Sequence, residues 1–333
     1  MSKIGQKLFD LFESPEREFF FQFNLGTRMK VISPLDQDPG LKKPQVSGNL
    51  FAIGSMVLWA AGFPAAEALL ETWHPISLIF ARLVLTLLVL YPVWIWTENK
   101  KRFSKEIWVT GLSIGFVGFG VGTVLLLFGQ WYTNPVTVAL VLTTTPIMAT
   151  VIEVIKRQRS MTLTFTLGLL ASVIGGCIAV SAQISVDLGF GLFLSILACF
   201  LFAWASDASI SKLPELSTLA RTTITFSGAF LFSGILLVIF WFVTGVSFPK
   251  IISAHDTGNL LVYSILAMAI SQVFFLSSVA RIGIALTSIH MNIAPFYVMF
   301  FVVLSGGSWE INVVIGATLV ALGVAIAQRK SVR

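Results

Sequence analysis

The chain has 333 residues, 56% of them hydrophobic and 11% charged, under half the ~25% charged share usual in soluble globular chains. That balance excludes a soluble domain and describes a protein that crosses a membrane many times. The formal net charge of +6 does not point to nucleic acid, because the basic residues gather in short connections between apolar runs, where they set topology.

Residues 1–48 form a cytoplasmic tail with seven basic and six acidic side chains. It has no continuous apolar core ending in a small-residue cleavage site, so it does not read as a signal peptide. Ile4, Leu8, Phe9, Leu11 and Phe12 fall near helical spacing, and Phe19 to Phe23 form an aromatic cluster. Two readings stand side by side: a short helix in the membrane interface, or a poorly ordered tail with one sticky turn.

From Leu50 onward ten apolar runs follow, each near the ~20 residues that a span needs. They cover Leu50 to Leu70, Pro75 to Trp96, Ile107 to Gln130, Pro135 to Ile155, Leu163 to Gln183, Gly189 to Ile210, Leu219 to Val243, Asn259 to Ala280, Ile284 to Ser305 and Ile311 to Gln328. Runs three and four are cut by WYTNP, and runs eight and nine by ARIG. Basic residues alternate with the count: the tail, Lys100 to Lys105, Lys156 to Arg159, Lys212, Arg281 and the C-terminal Arg329, Lys330 and Arg333 share one side, while the other side carries Lys250. Both termini are therefore expected in the cytoplasm. Cys177 and Cys199 both lie inside apolar runs, so neither a disulfide framework nor a thiolate metal site is expected.

The first run places Trp59, Gly62, Phe63, Ala66 and Glu67 on one helical face, with Pro64 predicting a bend. A carboxylate in lipid should face protein or a wet cavity; the plainer reading makes Glu67 interfacial. Arg82 in the second run either snorkels to the headgroups or pairs with Glu67. Asp207 and Arg221, in runs six and seven, repeat that acid–base spacing, and paired acid and base at each face is the favoured reading because lone intramembrane charges are costly. Other candidate solute contacts are Trp131 and Tyr132, which can stack a ligand or anchor the interface, with Trp204, Gln272 and Asn292. His290 is the candidate for coupling to protons; the ordinary alternative is a neutral, hydrogen-bonded histidine. Gly115, Gly118, Gly120 and Gly122 permit close helix packing. No H-E-x-x-H zinc motif occurs, and no cofactor or metal is expected.

Runs five and ten align, Gly168 on Gly316 and Gly175 on Gly323, at an offset of 148; Pro146 and Pro295 lie 149 apart, Trp59 and Trp204 145 apart, and Arg82 and Arg221 139 apart. This is a duplication, residues 49–185 and 186–329, with 330–333 as the cytoplasmic C-terminus. Because each half has an odd number of spans, the second enters the membrane inverted. The expected fold is all-α, a polytopic membrane protein of ten transmembrane helices in two inverted five-helix repeats.

The residues that carry the duplication resemble the drug/metabolite transporter superfamily, EamA type, over about Leu50 to Gln328. The resemblance rests on WAAG and WASD in runs one and six, an Arg early in runs two and seven, the prolines of TTTPIM and NIAPFY, and the Gly-spaced runs five and ten. It implies a secondary active transporter of a small metabolite or drug-like solute, an exporter, in the bacterial inner (plasma) membrane. The competing classes are a membrane scaffold without transport and a membrane-embedded enzyme. Solute, coupling ion and oligomeric state are not legible. Trp59-Ala60 stands where the family often has Trp-Gly, and Arg159-Ser160 and Gly307-Ser308 where it often has Gly-Glu.

Overall fold

The spans are ordered by what stops each helix. The computed structural model describes residues 42–98, 103–133, 135–142, 144–157, 162–180 and 189–304, with isolated helical positions between 311 and 326. The predicted tail helix and the C-terminal basic cluster lie outside the described residues. Helix α1 runs Lys42–Ala60 and resumes as Gly62–Leu70; α2 is Pro75–Thr97; α3 is Lys105–Ile114, Gly115–Val121 and Gly122–Tyr132 in unbroken succession. Helix α4 comes in two pieces, Pro135–Leu142 and Thr145–Ile155, α5 is Leu163–Val180, α6 Gly189–Lys212 and α7 Thr218–Thr244. Helix α8 joins Ala254–Leu261, Val262–Ile270 and Ser271–Ile282, and α9 joins Ile284–Ile289, His290–Ile293 and Ala294–Leu304.

The caps explain these limits. His74 precedes Pro75 and accepts the Ile76 N–H on Nδ1 at 3.3 Å; proline suits the first turn because its missing N–H would have no partner there. Ser217 accepts from Ala220 N at 3.0 Å, and Ser253 with Asp256 forms a reciprocal capping box. That box starts α8 at Ala254, five residues before the apolar run begins, and α1 likewise starts at Lys42 rather than Leu50. Helices continue past their apolar stretch until a cap or breaker ends them. Gly283, at φ 81°, makes the turn between α8 and α9 that an L side chain rarely adopts.

Among the described residues, seven helices are long and apolar enough to cross a membrane, the last of them ending at Leu304. Leu88, Ile95 and Trp96 on α2, Phe190, Phe193 and Phe200 on α6, and Ile235, Trp241 and Phe242 on α7 are exposed. In water such faces would be a liability; they are what lipid contact requires. Inside, small residues let backbones meet. A Cβ on Gly115 would sit 1.7 Å from the Thr225 carbonyl oxygen, and one on Gly228 2.1 Å from that of Leu112, so α3 and α7 cross backbone to backbone.

Two irregular segments bear on function. Gly115–Val121 in α3 and Val262–Ile270 in α8 are π-helical, with hydrogen bonds stretched to the fifth residue, an arrangement that leaves carbonyls available to other donors and is frequent at functional sites.

Candidate functional site

A cavity of about 890 Å³, counted with the open space at its mouth, lies among α1, α2, α3, α4, α6, α7, α8 and α9. Its walls are mostly apolar: Trp59 and Phe63 meet edge to face at 5.2 Å, and Phe119 and Phe226 at 5.6 Å. Polar groups are few and placed one by one. Ser55 donates to Ser271 O at 2.8 Å, joining α1 to α8. Gln130 donates from Nε2 to Phe63 O at 3.1 Å, beside the break at Ala61 and Pro64. Thr145 Oγ1 and Gln272 Nε2 are buried without a hydrogen-bond partner, and both residues line the cavity.

Arg82 is the charged side chain of the described wall, and it is 6% exposed. Its Nε donates to Tyr263 O at 2.9 Å and its Nη2 to Ala267 O at 3.4 Å, and its guanidinium carbon lies 3.7 Å from the centre of the Tyr263 ring. One turn further along α2, Thr86 donates to Ser264 O at 2.9 Å. All these acceptors belong to the π-helical segment of α8. The segment therefore fixes a cation in the wall with backbone dipoles and a ring face, without neutralising it.

The expected charge pairs are not brought together in this structure. Glu67 is exposed on α1 and Arg82 faces α8. Asp207 pairs with Lys156, and Arg221 donates from Nη2 to Leu213 O at 2.9 Å and to Leu216 O at 2.7 Å. The physical reason is shared: an arginine within reach of main-chain carbonyls has acceptors already in place and does not need a carboxylate drawn across the membrane.

Of the other candidates, Trp59, Phe63 and Gln272 line the cavity. Trp131 and Tyr132 are exposed and belong to a separate aromatic group, with His74 5.2 Å from Trp131 and Phe190 5.8 Å from Tyr132. Burial beside these rings lowers the His74 pKa from its ordinary value. Trp204 packs on Gly118 of α3. Asn292 is fully buried with Nδ2 and Oδ1 unpartnered, and His290 Nδ1 donates to Leu286 O at 3.0 Å; both lie in the 3-10 turn of α9, off the cavity wall. Sequence reasoning missed Ser55, Thr123, Gln130, Ser271 and Tyr263. For Thr123 the signal was there, a polar residue deep in the third run, whereas Gln130 stands at that run's end.

Residues 46–181 match the model of the EamA-like transporter family. Over those residues the chain is similar to the EamA-like transporter family. The uncharacterized transporter YyaM of Bacillus subtilis (strain 168) is similar to this chain, 23% identical over 287 residues that cover 84% of this chain and 92% of that protein. A solved crystal structure shares the fold, with a TM-score of 0.69 and 14% identity over 85% of this chain and 98% of that one. The family and the named relative are transporters rather than enzymes, and the apolar helices of this chain are those of a multi-pass membrane protein.

Proposed function

We propose that the protein is a secondary active transporter that moves a small organic solute outward through the central cavity by alternating access. The observation that carries this reading is the make-up of the cavity wall, drawn from α1 to α4 and again from α6 to α9. A site built by both halves of a duplicated chain can be exposed to either side as the halves exchange conformations.

The duplication itself, ten spans in two inverted halves over 49–185 and 186–329, is supported by contacts and irregularities that recur five helices apart. Packing of α1 on α8 has its counterpart in α6 on α3, α2 on α8 in α7 on α3, and α1 on α9 in α6 on α4, while α2–α7 and α4–α9 map onto themselves. The π-helical segments fall in α3 and α8. Pro146 follows the gap between the pieces of α4, and Pro295 follows the 3-10 turn of α9. The family match at 46–181 spans the first proposed half.

Both termini are placed in the cytoplasm, and the membrane is taken as the bacterial inner membrane, on the distribution of basic residues and the kinship with a Bacillus protein. Purified protein reconstituted into sealed vesicles loaded with a mixture of metabolites tests the reading: solute-selective efflux above that of empty vesicles is expected. Retention of every solute would leave a scaffold. A reporter after Arg333 and another at Asp187 should report opposite sides; same-side signals would refute the ten-span arrangement.

A further inference from the structure

We propose that the cavity takes an organic monoanion, a solute with one carboxylate and an apolar body, with the carboxylate seated on Arg82 and the body against the aromatic wall. This rests on reading the cavity as the solute path and goes beyond it in naming the chemical class.

A guanidinium carries five N–H donors in a fixed fork. Two are engaged, one from Nε to Tyr263 O and one from Nη2 to Ala267 O. Both N–H groups of Nη1 and the second of Nη2 make no bond to a main-chain oxygen; their protein neighbour is the Tyr263 side chain, and the arginine is 6% exposed and lines the cavity. A buried cation is expensive unless an anion meets it. Among the described lining residues there is no Asp or Glu to do so. The carboxylates expected from the sequence are elsewhere: Glu67 is exposed, and Asp207 is held by Lys156.

The other unsatisfied groups of the wall agree in sign. Gln272 Nε2 is a donor without an acceptor, and Thr145 Oγ1 has a hydroxyl proton to give. A carboxylate is acceptor-only and takes several such donors at once, two of them from the arginine fork. An ammonium solute would place a second cation in the same cavity as Arg82, with no carboxylate among the described lining residues to offset either. It would also find the Tyr263 face, the natural cation–π seat, already covered by Arg82 at 3.7 Å. Much of the remaining wall is apolar, Trp59, Phe63, Phe202 and Phe275 with Met56 and Met268, and gives the solute's body surface to bury, while no second ionised side chain is among the described lining residues to meet a second carboxylate.

The experiment uses the full chain, purified in a neutral detergent, with radiolabelled phenylacetate as probe. Octanoate, phenylacetamide and phenethylammonium are competitors, so that charge varies at nearly constant shape. Saturable phenylacetate binding is expected, displaced by octanoate and at least about tenfold less well by the amide and the ammonium, the ratio expected for one charge-assisted contact. Oleate supplied in the bilayer of reconstituted vesicles, against phenylacetate supplied in water, distinguishes an acid that arrives from lipid from one that arrives from solution. Arg82→Gln should abolish the charge preference and Arg82→Lys should retain part of it. Should those variants fail to fold, Gln272→Leu gives a second reading, with weakened acid binding and unchanged amide binding. Amide or ammonium binding as tight as the acid, or no saturable binding of either acid, overturns the proposal. Vesicle flux separates it from the transport reading: acid binding without flux leaves the anion site standing and removes transport, whereas saturable flux of a cation without acid binding does the reverse.

Discussion

Replacing Gly115 by alanine should open the crossing of α3 and α7. The added Cβ would stand 1.7 Å from the Thr225 carbonyl oxygen, 2.5 Å from its carbon and 2.9 Å from its Cα. All three are backbone atoms, so no side chain can swing away, and an ordinary contact requires the helices to part by roughly 1.5 Å. A gap of even ~0.5–1 Å forfeits a quarter to a half of each dispersion contact, and the neighbouring ring pairs, Phe116 on Phe232 at 5.0 Å and Phe119 on Phe226 at 5.6 Å, would be loosened together. Overpacking costs ~1–3 kcal/mol, and a backbone clash of this size belongs at the top of that range. At ~2–4 °C per kcal/mol for larger domains, the midpoint of thermal unfolding in detergent should fall by about 6–12 °C. Gly258→Ala is the matched control, because nothing lies within 4 Å of its Cβ. A Gly115→Ala midpoint within about 2 °C of that control would refute backbone-limited packing at this crossing.

Three further outcomes are expected. His74 is lowered from 6.5 by burial and its Nδ1 accepts an N–H, so folding favours the neutral ring; its contribution is complete above pH 6.5 and is lost as pH falls through the folded-state pKa below that. Thermal unfolding between pH 7.5 and 5.5 should therefore drop more in the parent than in His74→Ser, which keeps a capping oxygen, and equal drops would sink the assignment. Glu153 on α4 accepts the Ala285 N–H at 2.9 Å at the start of α9; Glu153→Gln should destabilise by about 1–2 kcal/mol through loss of a charged acceptor at a helix N-terminus, and an unchanged unfolding midpoint would remove that role. His290→Gln should leave the pH dependence of vesicle transport as it is, since the ring is bonded within its own helix and lies off the cavity; a lost pH dependence would restore it as the coupling group.

Much of the fold was legible because lipid allows few solutions: a backbone that must satisfy itself forms helices, and apolar length counts them. WYTNP and ARIG marked real breaks, at the end of α3 and at Gly283. Helix starts were less legible, since Lys42 and Ser253 lie beyond the apolar signal that the eye follows. Within the site, Trp59, Phe63 and Gln272 stood out as aromatic or polar residues deep in a run. Trp131 and Tyr132, aromatic but in the WYTNP break beyond the third run, are exposed, because residue type alone does not tell which side of a helix is inside. Tyr263 gave no signal, as its contribution is a backbone carbonyl and a ring face presented by a π-helical segment that no side-chain pattern announces.

The two arginines show how a duplication can split one feature into two jobs. Both stand early in their helices, and both donate to main-chain oxygens. Arg221 meets the carbonyls of Leu213 and Leu216 in the turn between α6 and α7, the first of them just past Lys212, where the α6 dipole leaves partial negative charge; it closes that turn and is not among the residues lining the cavity. Arg82 meets carbonyls in the middle of α8, where the π-helical segment leaves acceptors available, and it lines the cavity. The difference lies in where the partner helix offers oxygens, at its end in one half and at its centre in the other. A terminal clamp places its cation at a turn, away from the cavity. A central clamp holds its cation still in the cavity wall, and on the anion proposal this makes the first half the one that sets charge selectivity and the second the one that holds its own turn together.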